Sequence, residues 1–143
     1  MKLNVKDSTW IEISVTVFMY GGFLLTIEQS EEGVNLIYTN APDGASGNTN
    51  EDHLKGEVLS SLLDKISEID FDISSYDDEG EYVANDVVDG NAVWSVSFGK
   101  QKNTDYSING DDVHSNVLKL ILSAIKDLTS LEFIDEFMRQ FYS

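Results

Sequence analysis

Cysteine is missing from the 143 residues altogether, and proline occurs once, at Pro42. Without thiols there are no disulfides, no thiolate metal ligands and no cysteine nucleophile. Histidine is limited to His53 and His114, with no HExxH pair, so no metal site is expected. Basic residues are scarce as well, nine Lys and Arg against 26 Asp and Glu, which leaves a formal net charge of −17. Phosphate backbones and anionic membranes are held by clustered cations, and here the cations are scattered, so neither nucleic acid nor membrane is expected as a partner. No apolar run approaches the ~20 residues that cross a bilayer, and the opening MKLNVKDSTW has no signal-peptide core. The expectation is a soluble, cytoplasmic protein.

What is present argues for a folded chain. Hydrophobic residues make up 41% of it, with seven Phe, six Tyr and two Trp, far above a disordered composition. No repeat or linker divides the chain, so residues 1–143 read as one globular domain. From Trp10 to Tyr38 the pattern is that of strands. Ile11, Ile13, Val15, Val17 and Met19 alternate with Glu12, Ser14, Thr16 and Phe18, Gly21-Gly22 marks a tight turn, and Glu31-Glu32-Gly33 marks a second. This predicts a three-stranded antiparallel meander. Residues 40–52, NAPDGASGNTNED, predict a surface loop, and a helix follows over 52–69 with Asp52 as its N-cap. The alternation from Ala92 to Gly99, with Thr104 to Ile108 as partner, predicts a hairpin. Helical spacing then runs from Val113 to Leu128, and Thr129 or Ser130 caps a third helix over Leu131 to Phe141. The order βββαββαα predicts an α+β fold, an antiparallel sheet of meander plus hairpin with three helices packed on one face.

Signatures of catalysis are wanting. Neither GxGxxG nor a P-loop follows any strand, and Gly44-Ala45-Ser46-Gly47 is one residue short of a nucleophile elbow. Paired carboxylates suited to acid and base work abound in so acidic a chain, which makes them uninformative. Asp86-Val87-Val88-Asp89-Gly90 sets valines where a calcium loop needs ligands. No cofactor is expected, and the chain reads as a non-enzyme.

The informative stretch is 66–99, which holds nine Asp or Glu and no Lys or Arg. Within it, Tyr76 and Tyr82 flank Asp77, Asp78, Glu79 and Glu81, with Asp86 and Asp89 beyond. Rigid aromatics beside uncompensated carboxylates suit an interface with a cationic protein. Like charges 6–8 Å apart repel by about 0.5–2 kcal/mol per pair, a cost that a basic partner would remove. These eight residues form the candidate partner-binding site.

The early sheet from Trp10 to Tyr38, Asp89-Gly90 ahead of the Trp94-Ser-Val-Ser strand, and Gly110 ahead of the helix 113–128 give the chain a resemblance to a known group. It resembles the small, acidic, single-domain α+β immunity proteins encoded beside toxins of contact-dependent inhibition and other bacterial polymorphic toxin systems. The resemblance implies binding to one cognate toxin, often a nuclease with a cationic active site, and inhibition by occlusion. Two other classes compete: a DNA-mimicking anti-restriction or regulatory protein, and a small enzyme with a carboxylate site.

Overall fold

Alternation from Trp10 onward is what the backbone obeys. The computed structural model describes residues 1–42, 49–75, 80–84, 90–100 and 103–142. In chain order the elements are β1 (Trp10–Val17), β2 (Gly21–Ser30), β3 (Gly33–Pro42), β4 (Thr49–Leu54), α1 (Glu57–Ser67), β5 (Ile73–Ser75), β6 (Glu81–Ala84), β7 (Ala92–Lys100), β8 (Asn103–Gly110), α2 (Asn116–Thr129) and α3 (Glu132–Tyr142). The strands form one eight-stranded sheet in the order β4-β3-β2-β1-β7-β8-β6-β5. All neighbours are antiparallel except β6 and β8, which run parallel. The α+β reading therefore holds, with a wider and slightly mixed sheet.

One face of this sheet carries the core. Ile11, Ile13, Val15 and Val17 of β1, Phe23, Leu25 and Ile27 of β2, and Trp94, Val96 and Phe98 of β7 are all buried. Against them α1 sets Leu59, Leu62, Leu63 and Ile66, and α2 sets Val117, Leu118, Ile121, Leu122 and Ile125. Each such side chain withdraws about 1.5–3 kcal/mol worth of apolar surface from water, which is why helical spacing and strand alternation converge on the same layer. α3 closes the end of the layer mainly through aromatic rings. Phe133 stacks on Tyr38 at 4.7 Å and meets Phe23 edge-on at 5.4 Å, while Phe137 meets Phe23 at 5.2 Å.

Five expectations need correction. The expected loop 40–52 is strand at both ends, its middle lying outside the described residues: β3 continues to Pro42, and β4 pairs with it from Thr49 to Leu54, His53 Nδ1 lying 2.7 Å from Asn35 Oδ1. Asp52 consequently sits opposite Leu36 in the sheet, and α1 begins at Glu57 behind Gly56. The turn between the first two strands is Phe18-Met19-Tyr20, where Tyr20 N–H bonds the Val17 carbonyl at 3.0 Å. Gly21 and Gly22 instead open β2, because a Cβ at Gly22 would collide with the Val15 carbonyl on the paired strand. The acidic region contributes two further strands, β5 and β6. Finally, Ser130 ends α2 rather than starting α3: its left-handed φ of 56° and its N–H on the Lys126 carbonyl are those of a helix C-terminal cap.

Candidate interaction surface

The helices cover only one side of the sheet. The other side is made of the alternate strand residues, and its composition follows from the register. On β1, Glu12 stands between Thr26 and Ser97, Ser14 between Leu24 and Ser95, and Thr16 between Gly22 and Val93. Outward on one flank, Thr26 faces Ile37 and Ile37 faces Glu51, with Glu28 beside Asn35. On the other flank Ser97 faces Ser107, Ser107 faces Glu81, and Asn109 faces Val83. The result is a broad face on which hydroxyls and amides alternate with Trp10, Leu24, Ile37, Val83 and Val93, and which carries Glu12, Glu28, Glu51 and Glu81. Among the described residues, its strand positions hold no Lys or Arg.

Three of the cations, all on the helices, have partners there. Lys65 Nζ lies 2.8 Å from Asp127, and Lys126 Nζ lies 3.0 Å from Asp135. Lys119 stands over the Tyr142 ring, 5.9 Å from its centroid. The hydrogen bond from Lys65, and then its charge, hold the Asp127 carboxyl below the usual range. Asp70 is lowered likewise by the N-terminal ammonium that bonds to it. Among the described residues, the helical side thus carries both signs with several ion pairs, while the strand positions of the open face carry carboxylates and no Lys or Arg.

The eight residues singled out in the sequence distribute unevenly. Glu81 is exposed on the open face. Tyr82 turns to the helical side, half-buried against the core and stacked on Tyr106 with centroids 6.3 Å apart. Tyr76, Asp77, Asp78, Glu79, Asp86 and Asp89 lie outside the described residues. The strand between them, β6, is four residues long, so its two ends stand about 10 Å apart. Glu12, Glu28 and Glu51 escaped the sequence reading because a carboxylate at alternate positions of a strand is the ordinary signature of a wetted face. Only the register brings them onto one plane.

A second polar cluster is buried. Asp112, 1% exposed, accepts from the His114 backbone N–H at 2.7 Å and from Asn91 Nδ2 at 3.2 Å, while its carbonyl accepts from Trp94 Nε1 at 3.0 Å. Asn91 Oδ1 accepts in turn from Val113 N–H at 2.8 Å. Asp112, His114 and Ser115 fall within four residues, the types found in hydrolytic triads, and Asp112 Oδ1 lies 3.3 Å from His114 Nδ1 besides accepting from the backbone N–H of its own turn and from the Asn91 amide. The arrangement is a clasp that fastens the start of α2 to β7. Nearby, burial and then the Asp112 charge push the Tyr142 phenol well above its usual range.

No family model, curated protein or solved structure matches the chain. Among the described residues, no group of three or more His, Asp or Glu is placed to hold a metal ion, and no helix is long and apolar enough to cross a membrane.

Proposed function

We propose that the protein is a non-catalytic inhibitor that binds a basic protein toxin and occludes it, the role of an immunity protein. The observation that carries this reading is the sheet face without helices, on which four carboxylates stand with no Lys or Arg at the described strand positions of that face. A charged plane of this kind is poorly suited to bond-making, since its groups are solvated and spread over several strands, but well suited to recognition. Its field raises the association rate of a cationic partner by about 10- to 10³-fold and favours one orientation. Asp77, Asp78, Glu79, Asp86 and Asp89 contribute to the net charge of −17, which extends that field.

The test is kinetic. The partner is identified as the product of a neighbouring toxin gene, and its inhibition is measured by co-expression. Replacing Glu12, Glu28, Glu51 and Glu81 with Gln should then slow association by about 10-fold at low salt and flatten its salt dependence. Neutralising Asp77, Asp78 and Glu79 as well should slow it further. A partner that is acidic, or association that is indifferent to all seven changes, would refute the proposal. Recovery of several DNA-binding proteins instead of one toxin would point to a DNA mimic.

A further inference from the structure

The large apolar side chains that the described surface leaves exposed are not scattered. Apart from Met1, they are Phe18 (51% exposed), Met19 (95%), Tyr20 (56%), Leu24 (43%) and Val93 (59%), and all five belong to one end of the sheet. Phe18, Met19 and Tyr20 form the tip of the β1–β2 hairpin. Leu24 and Val93 lie on the open face beside β1, opposite Ser14 and Thr16 respectively, two strand spacings across and two residues along, about 12 Å apart. Scattered exposed apolar residues are ordinary, whereas five gathered at one end of the sheet of so hydrophilic a protein are not.

The tip is also held in an unfavourable shape. Met19 has φ of 73°, the left-handed region that an unbranched non-glycine residue enters at a cost of about 1–2 kcal/mol. Glycine would sit there without strain, yet the position carries a long, adaptable side chain that is almost wholly in water. Methionine of this kind is common at binding surfaces, because its flexible thioether fits varied partner contours. Beside the tip, a cavity of about 100 Å³ opens between the hairpin and α3, walled by Tyr20, Phe23, Phe137 and Phe141 with Glu136 at its lining. Aromatic faces with a carboxylate receive a Lys or Arg side chain.

We infer that this hairpin end of the sheet is the apolar anchor of the interface, and that its occupant is a basic protein whose apolar residues cover Met19 and Val93 while a cation enters the aromatic slot. The inference rests on the binding role proposed above and adds the position of the contacts that hold the complex together. Charge selects the occupant. A second copy would bring another −17 against the first, with the same cation-free face, whereas a basic partner meets both the platform and the surrounding carboxylates favourably. Central apolar anchors ringed by polar contacts are the usual division of energy in such interfaces.

A photo-crosslinking amino acid at position 19, introduced in the native cell, identifies what covers the tip, and the adduct partner is then purified for binding measurements. The expected result is one basic protein that binds in solution, with Met19→Asp and Val93→Glu each weakening binding by about 30-fold or more, mainly through faster dissociation. Met19→Gly separates anchoring from folding: it should raise the melting temperature by relieving the turn and still weaken binding. A basic partner whose association responds to the Glu→Gln changes but which binds Met19→Asp and Val93→Glu as tightly as wild type would overturn the anchor alone. A crosslink to a second copy, or no crosslink, would overturn it too, and an acidic partner would overturn the binding role itself.

Discussion

Replacing Gly110 with Ala puts a single methyl group where the core has no room. Gly110 ends β8 directly opposite Trp94, which is 1% exposed, and a Cβ there would overlap the pyrrole and benzene edges of the indole. The backbone is tied in the sheet, so the indole has to move. Leaving its position costs about 1–3 kcal/mol in displaced packing. Trp94 Nε1 then also loses the Asp112 carbonyl, 3.0 Å away, and a buried donor without an acceptor adds about 1–3 kcal/mol. The sum, about 2–6 kcal/mol, is a large part of the 5–15 kcal/mol typical of a domain. Urea titration followed by far-ultraviolet circular dichroism should show the midpoint falling by about 1 M or more. Gly56→Ala is the control, because Gly56 is right-handed at φ −58° with nothing within 4 Å of an added Cβ, and should be neutral or slightly stabilising. In a Trp94→Phe background the Gly110→Ala penalty should shrink. A Gly110→Ala protein within about 0.5 kcal/mol of wild type, on the scale of an ordinary surface change, would refute the packing argument.

Two further outcomes follow from the polar interior. The Tyr142 hydroxyl oxygen is buried without a hydrogen-bond partner among the described residues, and its pKa is raised, so stability is constant below the unfolded tyrosine value near 10 and falls as pH rises above it. Tyr142→Phe should remove that alkaline loss, measured as melting temperature against pH, and leave neutral stability equal or about 1 kcal/mol higher. Asp112→Ala strips the acceptor from His114 N–H and Asn91 Nδ2, and should cost about 2–3 kcal/mol in chemical denaturation, with hydrogen exchange accelerated first at the start of α2.

Where burial imposes a period, the chain was readable. Ile11 to Val17 and Ala92 to Phe98 alternate because one face of each strand meets helices, and Leu59 to Ile66 and Val117 to Ile125 repeat for the same reason. β4 gave no such signal. Its sequence, TNEDHL, is polar and exposed up to a half-buried Leu54, and its place is set by backbone bonds to β3. Those charges also shield a sheet edge from pairing with another chain. β5 and β6 are three and four residues long, and the parallel pairing of β6 with β8 joins residues far apart in sequence. The candidate surface was legible as charge but not as place, since Glu12, Glu28, Glu51 and Glu81 come onto one face of the sheet only through a register that no local spacing encodes. The exposed hairpin was misread for a related reason: Phe18 and Met19 continue the alternation of β1 in letters, while the chain has already turned.

The position of β1 has a consequence for how the molecule is made. Its two hydrogen-bonding sides are filled by β2, its immediate successor, and by β7, whose residues arrive more than 70 positions later. During synthesis the meander β1 to β3 emerges with one flank of β1 unpaired, and it stays so until residues 92–100 leave the ribosome. Such distant closure slows folding and leaves an adhesive backbone edge in the interval. Repulsion between nascent chains that are already acidic would keep those edges apart, so the same surplus of carboxylates that weakens the finished fold would guard its assembly.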